Sequence, residues 1–539
     1  MERMKTTDRA TSCVPASAAS AQACNLAASA LTQGLRFPAA YRMKLVRFLP
    51  LLLAPLAVAQ VERAQIDFAA VRQLAAERAA APFAERGEAM PRRLAEFTPA
   101  EIGAIRFIPE YALWRSDHLP FQLQLFHPVP GSPPVALREF SATHVQPLPF
   151  VGSYFSYGML RNPPRLYPEL GYGGFRVHSP LNRTEHFDEV LVFPGGDTFR
   201  ALGAGQNFGL FARALALDPG PFATTEELPR FTDYWIGRPL PGATSLTLYA
   251  LLDSPRAAGA YEFVVTPGPS TVVEVRAVVT FRTTVAQPGF APLSGMFWYG
   301  ENTDRPAGQP RPEVHEADGL AVQLADGTTF WRPLQNPAGP FGSGLAVEKL
   351  RGFGLLQRDR VFEHYGDLDA DYHHRPSVWV EPVGDWGPGR VQLVERPAHG
   401  SFDGNISAFW VPDRLPAPGV PYELHYRLHW TQEEPAPTLA PALATHVGTL
   451  AEPLGRLFWI DFASDDIARR DNGALDAEIQ VGPGARLLRQ SVRKNPADAS
   501  WRVAIEIVAA EPGRAVELRC RLRAGYTPVS ETWVYSWMP

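Results

Sequence analysis

The sequence predicts an all-β protein with two domains, and three observations support this. Apolar and polar residues alternate over 121–126, 246–252, 261–265 and 272–281, which is the period of half-buried strands. The 53 prolines and 44 glycines are scattered along the chain, as is typical of short strands joined by turns. The 539 residues exceed one ordinary hydrophobic core. We therefore expect a large antiparallel sandwich followed by a smaller one.

Two helices are predicted ahead of the strands. Ile66, Phe68 and Val71 begin an apolar stripe with the helical period of 3.6 residues. A second helix is expected to start after Thr98, because Pro99 occupies the first helical position and Glu101 completes a capping box.

The first 60 residues differ from the rest. A basic stretch starting at Met43 precedes an apolar run over 48–58 and a small-x-small pattern ending at Ala59, which together predict a signal peptide over 43–59. We interpret residues 1–42 as an extension from a start codon placed too far upstream. The apolar run is too short to span a bilayer, and we expect no membrane span in the mature chain. The alternative is that this run is a buried segment of the fold.

The net charge and the cysteine content exclude some classes of partner and of covalent cross-link. Loss of the first 60 residues removes seven basic and two acidic side chains, leaving a net charge of −10. This argues against nucleic acid as a partner and is compatible with a neutral ligand such as sugar. Only Cys520 remains, within an alternating strand pattern, so we expect a half-buried structural thiol and no intramolecular disulfide.

Composition also predicts the domain limits. The Pro- and Ala-rich stretch 431–443 has no periodicity and is typical of a linker. It separates a first domain over 60–430 from a second over 444–539. The second has three alternating strands in about 95 residues, which fits an immunoglobulin-like sandwich.

Common catalytic motifs are absent from the sequence. There is no nucleophile elbow, P-loop or dinucleotide-binding GxGxxG. His373 and His374 are adjacent, and on an extended chain their side chains point apart. We therefore expect no metal site and no cofactor.

Two stretches combine carboxylates with aromatic residues, 295–318 and 355–386. Sugar rings present apolar faces rimmed by hydroxyl groups, so aromatic side chains beside acceptors suit a saccharide groove. Glycosidic cleavage also needs two carboxyl groups flanking the bond. The alternative is that the acids are solvated and the aromatics belong to the core. The candidate substrate-binding residues are Trp298, Tyr299, Asp318, Arg358, Asp359, Tyr365, Trp379 and Trp386.

Six stretches carry a family resemblance: 171–182, 188–218, 249–263, 311–320, 351–360 and 375–395. They resemble the periplasmic glucans biosynthesis proteins G and D, and the leader, which lacks a twin arginine, is more like that of protein G. The resemblance implies an N-terminal sandwich of the galactose-mutarotase type, an immunoglobulin-like C-terminal domain and a periplasmic location. It also implies a role in making osmoregulated periplasmic glucans with a β-1,2-linked backbone. Characterised members act as inverting endo-β-1,2-glucanases or transglycosylases, with one Asp as acid and another as base.

The chain departs from the family at both catalytic positions. The base of the H-D-S pattern corresponds to Glu316, and the acid of the N-D-N-I-V-A-F-W pattern corresponds to Gly404. Asp403 lies one residue upstream. On an extended backbone its carboxyl faces away from the lost one, whereas a loop with Gly404 at positive φ brings Asp403 into place.

Three functional hypotheses remain. The first is a β-1,2-glucan hydrolase or transglycosylase with Glu316 as base and Asp403 as substitute acid. The second is a protein with reduced or lost activity that binds nascent glucan and presents it to a membrane glucosyltransferase. The third is an envelope interaction module that binds no sugar; it gains support if Trp298, Trp379 and Trp386 do not line one groove.

Overall fold

The computed structural model describes residues 65–85, 94, 96–158, 168–221, 226–434 and 439–539. Residues 64–539 form one compact unit. The predicted extension over 1–42 and signal peptide over 43–59 lie outside the described residues. Within the described ranges, no helix is long and apolar enough to cross a bilayer.

Both predicted helices are present. The first, Phe68–Ala80, begins after Asp67, whose side chain accepts a hydrogen bond from the Ala70 amide. The second, Pro99–Ala104, has the predicted capping box, with reciprocal bonds between Thr98 and Glu101. Short helical turns occur at Phe362–Tyr365, Asp465–Ala468, Pro109–Tyr111, Gly152–Tyr154, Pro168–Leu170 and Tyr372–His374.

The rest of the described chain is almost entirely β, which confirms the fold class. One sheet has ten described strands. In spatial order they are Gln122–Phe126, Gly174–Pro180, Phe187–Phe193, Thr198–Ala201, Phe211–Arg213, Pro288–Gly295, Ile406–Pro412, Gly389–Glu395 and Phe341–Val347, with Leu215–Leu217 also paired to Pro288–Gly295.

A second sheet has fifteen described strands. In spatial order they are Asp476–Val481, Val516–Ala524, Thr532–Trp537, Thr329–Pro333, Gly319–Leu324, Leu350–Leu356, Ser377–Pro382, Pro421–Thr431, Thr271–Phe281, Ala257–Thr266, Leu246–Asp253, Arg230–Gly237, Ala136–Phe140 and Val145–Pro147, with Thr527–Pro528 paired to Val516–Ala524. All four strands named from sequence alternation occur in these two sheets, each within a few residues of its expected limits.

Three smaller sheets complete the described architecture. The four-stranded sheet consists of Ala442–Thr449, Gly455–Phe462, Trp501–Ala509 and Ala485–Lys494. The two-stranded sheets pair Arg106–Phe107 with Phe155–Ser156 and Phe297–Tyr299 with Val314–His315.

Two hydrophobic cores follow from this arrangement. The larger lies between the ten-stranded sheet and the central strands of the fifteen-stranded sheet, and Phe263 and Phe290 are fully buried there. The smaller lies against the four-stranded sheet and includes Trp501 and Cys520, and this thiol is fully buried rather than half-buried as predicted. The limits of the two predicted domains stay predictions.

The fifteen-stranded sheet continues across the predicted linker. Phe330 pairs in parallel with Thr532, and Trp331 with Trp533. The Trp331 ring belongs to the smaller core. The C-terminal strands are therefore joined to the first part of the chain by both backbone pairing and shared apolar packing.

Candidate functional site

Glu316 forms a shielded ion pair with Arg375. Its Oε1 lies 2.5 Å from Arg375 Nη1, and its Oε2 accepts a bond of 3.1 Å from the Met296 amide. The two side chains are 15% and 9% exposed. Burial raises the pKa of Glu316, although the charge of Arg375 opposes that shift. The result is a carboxylate oriented by Arg375 and the Met296 amide, with the charge of Arg200 also favouring its ionised form.

Close backbone packing positions this carboxylate. Glu316 directly follows Val314–His315, and His315 pairs with Phe297. At the adjoining end of Pro288–Gly295, a Cβ on Gly295 would lie 2.3 Å from Leu210 Cδ2 and 3.6 Å from Glu316 Oε2. A larger side chain at position 295 would therefore have to displace the Leu210 side chain.

Arg375 is held by the loop that precedes it. Its Nε and Nη2 each donate to the Ala370 carbonyl over 3.3 Å. Its guanidinium carbon lies 4.2 Å from the Tyr372 ring centre and 5.9 Å from that of Phe208. The orientation of Glu316 therefore depends on the loop around residue 370 as well as on its own strand.

The residues at the expected acid position form a loop beside the same strand end. Asp403 is exposed, and its Oδ2 accepts bonds of 2.7 and 3.0 Å from the His399 and Gly400 amides. Gly404 does not adopt positive φ. The loop alternative is therefore correct, but the turn that was expected to redirect Asp403 is absent. Its carboxylate instead caps its own turn.

Asn405 ties this loop to the strand beneath Glu316. Its backbone N–H donates to the Gly295 carbonyl over 3.2 Å. Its side-chain oxygen accepts from the Phe297 amide and its side-chain nitrogen donates to the Phe297 carbonyl, each over 2.9 Å. The loop and Glu316 are thus anchored to consecutive residues, 295–297. Gly404 precedes Asn405 in this loop and carries no side chain.

A buried polar cluster lies behind the site. His315 is fully buried, with Nε2 2.9 Å from Glu313 and Nδ1 3.2 Å from Gln357 and 3.6 Å from Asp318. Burial alone would lower the pKa of His315, but the bond to Glu313 and the charges of its acidic neighbours raise it to about 9. Burial, opposed by His315, raises the pKa of Asp318 to about 6. His315 is therefore a cation at neutral pH.

Glu301 connects this cluster to the C-terminal strands. Its Oε1 accepts a bond of 3.1 Å from the Thr445 amide. Burial, together with the charges of Glu313 and Asp318, raises the pKa of Glu301 to about 8. At neutral pH the cluster therefore retains a proton on Glu301 in addition to the one on His315.

The raised pKa values predict a loss of stability at alkaline pH. The native protein holds the Glu301 proton more tightly than the unfolded chain does, so stability falls as pH rises from the ordinary value of 4.5 through 8. The contribution of His315 is complete below 6.5 and is lost as pH rises through 9. Both effects lower stability between pH 6.5 and 8, and His315 alone continues to lower it up to 9. Because Gln resembles the protonated acid, Glu301→Gln should make the fall in Tm over this range shallower.

Thermal unfolding between pH 5.5 and 9.5 measures this effect. Glu363→Gln, on an exposed turn, is the matched control and should follow the wild-type curve. An equally steep alkaline decline in Glu301→Gln and wild type would show that Glu301 is already ionised in the native protein.

Five of the predicted substrate-binding residues lie close to this cluster. Tyr299 and Tyr365 are buried in one small apolar group, with Trp298 half-buried against it. Asp318 accepts bonds from the amides of Arg358 and Asp359. The Tyr365 hydroxyl donates to the Asp359 carbonyl over 3.1 Å. The buried tyrosines support the site from behind, and Trp298 lies at its surface.

The side chains of the other three predicted residues point elsewhere, although the Arg358 amide bonds to Asp318. The Arg358 side chain is 4% exposed, binds Glu531 through two bonds and stacks 3.6 Å from the Trp331 ring centre. Trp379 is buried in the smaller core. Trp386 packs on Trp410 at the edge of the larger core.

Trp298, Trp379 and Trp386 therefore belong to three different apolar clusters. They do not line one groove. Trp379 faces the smaller core from its strand, and Trp386 packs on Trp410 from a loop. The absence of a shared groove adds support to the hypothesis of an envelope interaction module.

The prediction that the His373 and His374 side chains point apart on an extended chain is also wrong. Residues Tyr372–His374 form a single 3₁₀ turn rather than an extended segment, and Asp371 precedes it at φ +50°. The imidazole ring centres of His373 and His374 lie 4.0 Å apart. Their side chains lie side by side.

Sequence reasoning missed Arg375, Asn405 and Phe208. A buried carboxylate requires a cation, so a search for an arginine following the acidic loop could have found Arg375. Asn405 belongs to the quoted 403–410 stretch, but its role depends on the backbone of Phe297. Nothing in the local pattern separates Phe208 from a core phenylalanine.

The fold and the site together define an all-β protein with an acidic site set among aromatic side chains. Residues 66–537 match the family described as "Periplasmic glucan biosynthesis protein, MdoG". The chain belongs to this family, and its role lies in glucan biosynthesis.

Curated relatives support the same membership. "Glucans biosynthesis protein G" of Ralstonia nicotianae is 39% identical over 87% of this chain and 94% of its own length. The protein of the same name from Pseudomonas putida is 39% identical over 78% of each chain. That of Dickeya dadantii is 38% identical over 83% of this chain and 88% of its own.

Proposed function

We propose that this protein binds periplasmic β-1,2-glucan during its biosynthesis or remodelling, with reduced or altered glycosidase activity. The observation that carries the proposal is that no carboxyl group is available at the position of the family's general acid. Gly404 has no carboxyl, and the neighbouring Asp403 carboxylate is bonded to two amides of its own turn. A general acid must reach the leaving oxygen with a proton. Glu316 retains a carboxylate at the position of the base, but no general acid lies at position 404.

Exposed apolar side chains on the loops tied to Glu316 and Arg375 support the binding part of the proposal. Phe402, next to Asp403, is 81% exposed, and Leu368, on the loop that leads to Arg375, is 85% exposed. Phe208, 37% exposed, lies over the guanidinium of Arg375. Such side chains can stack on the apolar faces of pyranose rings. We propose that these loops, rather than the three tryptophans named above, receive the glucan.

Location and partner follow from the same proposal. The family is described as periplasmic, and we propose that the mature chain acts in the periplasm. A binding role without strong cleavage suits a protein that receives nascent glucan from a membrane glucosyltransferase. The net charge of −10 after loss of the first 60 residues is compatible with a neutral polysaccharide.

The experiment compares wild type, Glu316→Gln and Asp403→Asn on linear β-1,2-glucan. Calorimetry measures binding, and release of reducing ends measures cleavage. We expect saturable binding by all three proteins and equal release of reducing ends by wild type and Asp403→Asn. The two exchanges preserve side-chain size, so a change reports the lost charge.

Two results would contradict the proposal. A fall in cleavage of about 10²-fold or more in Asp403→Asn would make Asp403 the acid of an active inverting glucanase or transglycosylase. Absence of glucan binding in folded wild type would favour an envelope interaction module that binds no sugar.

A further inference from the structure

The turn at Asp371–His374 brings three metal-ligating side chains together. Asp371 Oδ2 lies 2.9 Å from His374 Nδ1, and its Oδ1 lies 3.3 Å from His373 Nδ1. One ligand atom from each residue falls within a 4.8 Å group. Ligand atoms of a tetrahedral Zn²⁺ site stand about 3.3 Å apart, given bonds of about 2.0–2.1 Å. The observed spacing needs only small side-chain adjustments to reach this geometry.

Hydrogen bonds within the cluster do not satisfy every ligand atom. The bond between Asp371 and His374 satisfies that pair. His373 Nδ1 is hidden from solvent, and its 3.3 Å contact with Asp371 lacks the geometry of a hydrogen bond. A buried ring nitrogen without a partner costs free energy, and a bound cation would provide the missing contact.

Packing and backbone hold the donors in place. The His373 ring packs edge-on against Phe362 at 5.3 Å and is 16% exposed. Asp371 adopts φ +50°, an uncommon value for a residue other than glycine, and this turns its carboxylate over the two rings. The His374 side chain is 48% exposed, so one side of the cluster is open to solvent.

We propose that Asp371, His373 and His374 bind one divalent cation of the Zn²⁺ and Cu²⁺ class. Two imidazole nitrogens and one carboxylate oxygen favour such borderline ions over Mg²⁺ or Ca²⁺. The cation replaces the hydrogen bond between Asp371 and His374, with the His374 proton on Nε2, and water completes the coordination on the open side.

Backbone hydrogen bonds connect the metal-binding turn to Arg375 and to the proposed glucan site. The Arg375 amide donates to the Tyr372 carbonyl over 3.0 Å, and the Asn207 amide donates to the His374 carbonyl over 3.1 Å. Metal binding therefore stiffens the loop that orients Arg375. This consequence is independent of whether the protein cleaves glucan.

Calorimetry with ZnCl₂ on tag-free protein tests the proposal. We expect one equivalent of Zn²⁺ to bind wild type and the affinity to fall at least tenfold in His374→Ala and in Asp371→Asn. The matched control is His186→Ala, which removes an exposed histidine 3.6 Å from Asp188 and should leave the affinity unchanged. Cu²⁺ electron paramagnetic resonance should show two coupled nitrogens in wild type and one in His374→Ala.

Either of two outcomes overturns the proposal. One is Zn²⁺ affinity in wild type no higher than in the Asp371→Asn and His374→Ala variants. The other is an equal fall in the His186→Ala control, which would mark the binding as non-specific surface coordination. Glucan binding is not part of either readout, so the result is separate from that of the proposed function.

Discussion

Gly404→Asp is expected to raise the release of reducing ends from linear β-1,2-glucan by about 10²–10⁴-fold over wild type, the usual contribution of a general acid. The substitution restores a carboxyl at the position where the family pattern carries its acid. Glu316 already provides a carboxylate beside the same strand end. If absence of the acid limits the rate, one side chain should recover much of it.

The local structure has room for this change. A Cβ on Gly404 meets no described atom within 4 Å, and its φ lies outside the left-handed region. Gly404→Asn is the matched control, since it has the same size but no ionisable proton, and it should stay at the wild-type rate. Adding Glu316→Gln to Gly404→Asp should remove the gain. A Gly404→Asp protein that binds glucan but cleaves no faster would show that another feature, such as the longer Glu316 side chain, prevents catalysis.

Arg358→Met is expected to lower the free energy of unfolding by about 3–5 kcal/mol, the usual cost of breaking a buried ion pair. Arg358 and Glu531 have side chains 4% and 3% exposed, and Arg358 also binds Glu434 and the Ala442 carbonyl. Methionine retains apolar contact with Trp331 but leaves the Glu531 carboxylate buried without a cation. The loss should loosen the junction between the fifteen-stranded sheet and Ala442–Thr449.

Urea unfolding measures this loss. Arg519→Met is the matched control, because its partner Glu517 and Arg519 itself are 51% and 40% exposed, and such pairs contribute about 0–1 kcal/mol. The double variant Arg358→Met with Glu531→Gln should recover part of the stability. Equal effects of Arg358→Met and Arg519→Met would mean that the buried pair does not stabilise the junction.

Local patterns in the sequence were sufficient for the strands and the helix starts. The alternation over 272–281 corresponds to Thr271–Phe281, and the Thr98 capping box is formed as expected. Pairing between distant segments was not predictable in this way. The parallel contact of Phe330 with Thr532 joins residues about 200 positions apart, and no local period encodes which edges meet.

The site was predictable only in part, for a related reason. The resemblance identified Glu316 and Gly404, but the direction of the Asp403 carboxylate depends on two amides of its own turn. Arg358 and Trp379 looked suited to a sugar groove by residue type, yet they are buried in a junction and a core. Residue type predicts chemistry, whereas exposure is set by tertiary packing.

Hydrogen exchange of the wild-type protein with and without linear β-1,2-glucan tests the central claim most directly. The claim is that glucan binds at the Glu316–Arg375 pair and the loops beside it. It predicts slower exchange in 366–375 and 399–405 on addition of the glucan, with little change in the C-terminal strands 485–494. Unchanged exchange in both loops, or protection confined to the surface around Trp386, would contradict it.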